Sequence, residues 1–199
     1  CVYPDPIAEI NVINNNDTVN CAPFTIDSTV LSFTQYLDAN DSYSWYITDN
    51  NNNTLASNLY SYVMQNDGDT VIVYLVTSNV HGCQNDTDKV TFITYVDPVV
   101  DFSISPLTGC HTLTVNIDTT GISTTGNYNW QVYQIGWPIT YDQSTAIEPQ
   151  FDLTNVSNTI DSNYIITLTI TDPVTGCSQF GASDTITVYH IPDAEINIS

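Results

Sequence analysis

Three features of this 199-residue sequence predict an all-β chain of two tandem sandwich domains. They are an internal repeat of about ninety residues, β-branched runs of strand length, and polar turn clusters between the runs. Pro6-Ile7-Ala8-Glu9-Ile10-Asn11-Val12 returns as Pro192-Asp193-Ala194-Glu195-Ile196-Asn197-Ile198, with Pro98-Val99-Val100-Asp101-Phe102-Ser103-Ile104 between them. The three prolines stand 92 and 94 residues apart. Other landmarks keep the same order: Cys21-Ala22-Pro23-Phe24 answers to Cys110-His111-Thr112-Leu113, Tyr43-Ser44-Trp45 to Tyr128-Asn129-Trp130, and Gly82-Cys83 to Gly176-Cys177. Residues 1–5 therefore read as the end of a preceding repeat, 6–97 as repeat one, 98–191 as repeat two, and 192–199 as the first strand of a third. The chain starts at Cys1 with no basic and apolar leader, which reads as a stretch of a longer exported protein.

Within each repeat the strands are marked by composition. Val71 to Val76 and Ile165 to Ile170 are β-branched runs, and Thr167-Leu168-Thr169-Ile170 alternates polar and apolar. Asn14-Asn15-Asn16-Asp17, Asn50-Asn51-Asn52-Asn53, Asp67-Gly68-Asp69, Thr119-Thr120-Gly121 and Asp172-Pro173 supply the turns. Roughly seven short strands per repeat, with a tryptophan in the third, is the pattern of an immunoglobulin-like sandwich. Trp45 and Trp130 are the expected core tryptophans. Trp137 has no counterpart in repeat one, so it either packs under its loop or faces a ligand.

Charge excludes several functions. Asp and Glu number 22 against a single basic residue, Lys89, for a net charge of −21. A chain so acidic repels nucleic acid and anionic membranes. Only 12% of residues are charged, however, and polarity rests on Asn, Thr, Ser and Asp, which suit strands and turns. This composition reads as an extracellular β protein. No apolar run reaches the ~18 residues that a membrane-spanning helix requires.

The order of these segments resembles PKD repeats. The resemblance is carried by Gly109-Cys110 through Val115, Tyr128 through Trp130, Tyr164 through Asp172, and Thr185 through Val188. It covers nearly the whole chain but departs from the family in the third-strand loop. There Ile47-Thr48-Asp49-Asn50 and Val132-Tyr133-Gln134-Ile135 replace the usual Phe-Gly-Asp-Gly. With the paired Gly-Cys landmarks and the near-absence of basic residues, the resemblance is to the long arrays of Bacteroidetes surface proteins, among them gliding-motility adhesins exported by the type IX pathway. It implies tandem sandwiches placed end to end, a non-enzymatic structural or adhesive role at the cell surface, and neighbouring repeats and surface polysaccharide as partners. The rival implication is a spacer or carbohydrate-binding module of a secreted hydrolase, which the 13 tyrosines keep open.

Chemistry-bearing motifs are sparse. His81, His111 and His190 lie in unrelated segments, and no zinc spacing or nucleophile elbow occurs. No catalytic, cofactor-binding or transition-metal residue is therefore assigned. Calcium is the one ion to weigh, with Asp67 and Asp69 the candidates, beside Asp38 with Asp41 and Asp86 with Asp88. Such a site requires six to eight oxygens, and turn-forming is the competing role of these carboxylates. Asp17-Thr18-Val19, Asp69-Thr70-Val71 and Asp184-Thr185-Ile186 resemble O-glycosylation acceptors of exported Bacteroidetes proteins, or simply begin strands.

The cysteines allow two frameworks in an oxidising compartment. One pairs Cys21 with Cys83 and Cys110 with Cys177 inside each repeat. The other bridges repeats through Cys21 and Cys177, leaving Cys83 and Cys110 for neighbouring repeats and Cys1 as the odd thiol. Sandwich topology favours the second, because the cysteine before the second strand and the one in the last hairpin lie at opposite ends of a strand.

Overall fold

The computed structural model describes residues 5–13, 18–36, 41–57, 61–81 and 84–193. Every element in them is a strand. No helix among the described residues is long and apolar enough to cross a membrane. The chain forms two compact units, Cys1–Val96 and Asp97–Ser199.

Unit 1 contains β1 (Ile7–Val12), β2 (Val19–Cys21), β3 (Phe24–Asp27), β4 (Leu31–Tyr36), β5 (Asp41–Asp49), β6 (Thr54–Ser57), β7 (Ser61–Met64), β8 (Thr70–Asn79) and β9 (Asp86–Tyr95). One sheet has the order β2-β9-β8-β5-β6, and β3-β7 and β1-β4 form two further pairs. Unit 2 contains β10 (Ser103–Ser105), β11 (Thr108–Cys110), β12 (Thr112–Asp118), β13 (Asn127–Gln134), β14 (Thr140–Ser144), β15 (Gln150–Thr154), β16 (Ser162–Thr171), β17 (Ser178–Ala182) and β18 (Ile186–Tyr189). Its sheets are β11-β18-β16-β13-β14, with β17 also on β16, and β10-β12-β15.

The nine strands per unit among the described residues, where the sequence predicts about seven, come from broken strands. The first strand crosses between sheets in both units, giving β1/β2 and β10/β11. In unit 1 the second strand breaks as well. The Asp27 carboxylate accepts the Thr29 backbone N–H at 2.8 Å and the Thr29 hydroxyl at 2.6 Å. The Val30 N–H donates to the Asp27 carbonyl at 3.1 Å. This Asx turn satisfies the local backbone without the ladder, so β3 pairs with β7 while β4 leaves to pair with β1. In unit 2 the corresponding β12 runs unbroken between β10 and β15, and the break falls instead between β17 and β18. There Ser183 bridges the gap, donating its N–H to the Ile166 carbonyl at 2.8 Å and accepting the Ile166 N–H on its hydroxyl at 3.0 Å.

The β-branched runs sit in the central strands β8 and β16. Alternate residues there point inward, so Val71, Val73 and Leu75 are buried in unit 1, and Tyr164, Ile166, Leu168 and Ile170 in unit 2. Trp130 is fully buried, its indole N–H donates to the Ala146 carbonyl at 2.9 Å, and Phe102 meets it edge-on at 5.0 Å. Trp45 also packs on its core, though less deeply than Trp130. It is only partly buried against the core of unit 1, with Phe33 edge-on at 4.8 Å. The cause is the broken second strand. Where β4 leaves β7, a cavity of about 210 Å³ remains, lined by Ile26, Leu31, Phe33, Trp45, Ala56 and Tyr62.

Candidate functional site

Of the carboxylates singled out for calcium, Asp86 and Asp88 serve the backbone and Asp69 holds a side-chain amide. Asp38 and the side chain of Asp41 lie outside the described residues. Asp86 and Asp88 sit on β9 and reach strand β1: Asp86 accepts the Ala8 N–H at 2.8 Å and Asp88 the Ile10 N–H at 2.7 Å. Their second oxygens accept the N–H groups of Thr87 at 2.9 Å and Lys89 at 2.8 Å. Asp67 and Asp69 flank Gly68, whose φ of 71° is a conformation that favours glycine. This turn is fastened to β9. The Asp69 N–H donates to the Thr94 hydroxyl at 2.9 Å, that hydroxyl donates to the Asn66 carbonyl at 2.7 Å, and the Asp69 carboxylate takes the Asn66 amide at 3.0 Å. Within either unit, no three Asp, Glu, His or Cys ligand atoms converge among the described residues.

Unit 2 fastens the matching corner from the other side. Asn155 is buried, and its amide donates to the carbonyls of Ile160 and Val188, both at 2.9 Å, while its oxygen accepts the Ser157 N–H at 2.9 Å. Val188 occupies the ladder position of Thr94, since β11 pairs with it as β2 pairs with Thr94. Beside this corner the buried Tyr164 donates its hydroxyl to the Thr154 carbonyl at 2.6 Å, the tyrosine corner of such sandwiches. Burial is the main cause that pushes its phenol up to about 12. The equivalent position on β8 is Val71, so unit 1 lacks this device.

The histidines are dispersed. His81 donates its N–H to the Asn79 side chain at 2.7 Å, His111 places Nδ1 3.1 Å from the Asn155 carbonyl, and His190 meets Asp161 at 2.7 Å. Hydrogen bonds from His190 hold the Asp161 carboxyl below its ordinary value. Of the Asp-Thr-aliphatic triplets, Asp17 lies outside the described residues and Thr70 begins β8. Thr185 is exposed between β17 and β18.

Cys21 and Cys177 each hold their sulfur in a disulfide, and Cys110 is an exposed free thiol. Cys1 and Cys83 lie outside the described residues. The within-repeat alternative Cys110–Cys177 is not formed, for a geometric reason. Cys110 is level with Tyr189, just past the Val188–Ser162 pair at one end of β16, whereas Cys177 precedes the Ser178–Thr171 pair at the other end. β16 has 10 residues, so its ends lie about 30 Å apart, while bridged Cα atoms lie within about 7 Å. In unit 1, Cys21 is likewise level with Tyr95, at the opposite end of β9 from Asp86.

Trp137 lies in the β13–β14 connection and is 63% exposed, so it does not pack under its loop. A hollow of about 180 Å³ beside it is lined by Gln134, Trp137, Ile139, Thr140 and Tyr141.

No family model matches the chain, and no curated protein matches it in sequence. Several solved structures are similar in build. The fibronectin(III)-like modules of CbhA from Clostridium thermocellum share 9% identity at a TM-score of 0.36, over 97% of this chain and 100% of that one. Three N-terminal domains of the outer capsid protein Hoc of bacteriophage RB49 share 8% at 0.49, over 94% and 70%. The glucan-utilization protein SGBP-B of Bacteroides ovatus, in complex with a mixed-linkage heptasaccharide, shares 13% at 0.30, over 94% and 48%. In unit 2 the first, second and fifth strands of the seven-strand pattern (β10, β12 and β15) face a sheet of the third, fourth, sixth and seventh (β13, β14, β16 and β18). Both modules are immunoglobulin-like β-sandwiches.

Proposed function

We propose that these modules are non-catalytic repeats of an extracellular stalk in a cell-surface adhesin, joined covalently from one repeat to the next. The observation that carries this reading is a register equivalence. Cys21 pairs in parallel with Tyr95 at the end of its unit's last strand, and Cys110 pairs in the same way with Tyr189. Equivalent thiols repeated along an array suit bonds between repeats. The strand length between the Cys110 and Cys177 levels opposes a bond within one. The reading therefore assigns Cys21 to Cys177, and Cys110 to a cysteine of another repeat. Oxidised cysteines suit an exported protein, and the dispersed histidines and backbone-capping carboxylates suit a role without turnover. Attachment or gliding motility is the use to which such a stalk is put in this reading, with neighbouring repeats and surface polysaccharide as partners.

Peptide mapping without reductant tests it. The expected product joins the Cys21 and Cys177 peptides and leaves Cys110 alkylatable. Recovery of Cys21 joined to Cys83 overturns the covalent stalk. Pulling on single chains is the functional readout: a Cys21–Cys177 bond carries the force past residues 22–176, so reduction is expected to lengthen the extension released when the units unfold. One observation favours a second reading, a spacer or carbohydrate-binding module of a secreted hydrolase: the exposed Trp137. A catalytic domain in the same polypeptide decides for it.

A further inference from the structure

The same hairpin is built in two ways in the two units. Both hairpins leave the tryptophan-bearing strand through a register shift, between Ile47 and Thr48 in unit 1 and between Val132 and Tyr133 in unit 2. In unit 1 the connection is polar. The Asp49 carboxylate accepts the N–H groups of Asn51 and Asn53, both at 2.8 Å, and the Asn53 amide at 2.8 Å. In unit 2 the corresponding stretch exposes Ile135, Trp137, Ile139 and Tyr141 at 50, 63, 66 and 40%. Turn geometry does not require them: Gly136 at φ 92° and the Trp137 N–H donating to the Gln134 carbonyl at 3.1 Å close the chain. Ile135, Trp137 and Ile139 stay exposed without closing the turn, and clustered exposed apolar side chains mark a contact surface.

The hollow at this cluster is held in shape by its neighbours. The Tyr141 hydroxyl accepts the Thr154 N–H at 3.2 Å and lies 3.5 Å from the Asp152 carbonyl, and its ring meets Tyr164 edge-on at 5.0 Å. The Gln134 amide donates to the Ser162 hydroxyl at 3.3 Å. Such groups lose little freedom when a ligand arrives.

Three properties select the ligand. None of the five lining residues carries a charge, and the chain's net charge of −21 repels anions. The exposed side chains lie in one short connection, residues 135–141, far fewer than the roughly 20–30 residues a side of a stable protein interface. An exposed indole beside the uncharged Gln134, Thr140 and Tyr141 complements a ring with one apolar C–H face and neutral hydroxyls at its edge. We infer that the β13–β14 connection of unit 2 is a binding site for a neutral glycan, with Trp137 as the stacking platform and Gln134, Thr140 and Tyr141 as its polar rim. This deepens the adhesive reading by giving one repeat a ligand, and rests on it only for the setting.

Native gel electrophoresis of the whole chain through soluble β-glucan, galactomannan and xylan tests the inference. Acidic alginate and phosphatidylcholine vesicles serve as the other arms. Retardation by at least one neutral polysaccharide is expected, unchanged at high salt, and weakened roughly tenfold or more in Trp137→Ala. Trp137→Phe should keep part of it, and the melting temperature of both variants should match the parent. Absence of retardation by all three neutral polysaccharides overturns the site, as does retardation that survives Trp137→Ala or Trp137-dependent binding to alginate or vesicles instead. The disulfide map is independent of each outcome, so loss of the glycan site leaves the stalk reading to its own test.

Discussion

The carboxylate of Asp88 accepts the backbone N–H of Ile10 at 2.7 Å, across 78 residues of sequence. Together with Asp86 on Ala8, it gives the outer edge of β1 side-chain partners in place of a neighbouring strand. An uncovered edge invites pairing with other chains, and inward carboxylates are one way to close it. Asp88→Ala leaves a part-buried donor without its acceptor and is expected to destabilise unit 1 by about 1.5–3 kcal/mol. Asp88→Asn, which keeps an acceptor, should cost less. Amide exchange at Ala8 and Ile10 checks it, and protection unchanged in Asp88→Ala would sink the capping role.

Salt should raise the melting temperature. The charge of −21 is self-repulsive, and about 0.15 M salt screens it beyond roughly 8 Å. Calcium bound specifically at Asp67 and Asp69 would add a saturable rise that disappears in the double Asn variant. The expected outcome is the same calcium response in parent and variant, because that turn is already fastened through Thr94.

Tyr164 predicts alkaline sensitivity of unit 2. Its phenol is raised from an ordinary 10.0 to about 12. A raised folded value means that the stabilisation is complete below pH 10 and is lost as pH rises toward 12. Tyr164→Phe should remove that dependence while costing about 0.5–1.5 kcal/mol at neutral pH through the lost hydrogen bond. Unfolding curves recorded from pH 9 to 12 decide this, and an alkaline transition preserved in the Phe variant counts against it.

The two tryptophans should differ in weight. Trp130→Ala empties a fully buried site and is expected to cost about 3–5 kcal/mol. Trp45→Ala acts on a half-buried ring beside an existing cavity and should cost less than half as much. Equal losses in denaturant titrations would mean that Trp45 is buried in solution.

At acid pH the Asn-rich turn of unit 1 should loosen. Hydrogen bonds from the Asn53 side chain and then its backbone N–H hold the Asp49 carboxyl below its ordinary 3.8. A depressed value means that the turn's support is present above pH 3.8 and is lost as pH falls through the lower folded value. The amide shifts of Asn51 and Asn53 should report that titration together, and two unrelated midpoints would contradict the shared acceptor.

The strand framework was legible because its signals are local. Alternation along Ile165 to Ile170 requires only that one face of a strand be buried, and the structure buries Ile166, Leu168 and Ile170. The two tandem landmarks at Trp45 and Trp130 marked the same strand in each unit, β5 and β13. Trp137 stood out because it had no counterpart in repeat one. Its surroundings, Tyr141 braced on β15 and Gln134 on Ser162, were not legible, since those contacts join residues 13 and 28 apart. That Asp86 and Asp88 face the amides of Ala8 and Ile10 was not legible, since those amides lie 78 residues away in the chain. Trp45 looked equivalent to Trp130 because the Asx turn at Asp27, which opens the cavity beside it, is not marked by any repeat landmark. The sequence alone determined which residues face inward along a strand, a matter of period two. Only the tertiary structure decided which partner each polar or aromatic side chain meets, because that depends on register and on strands distant in the chain.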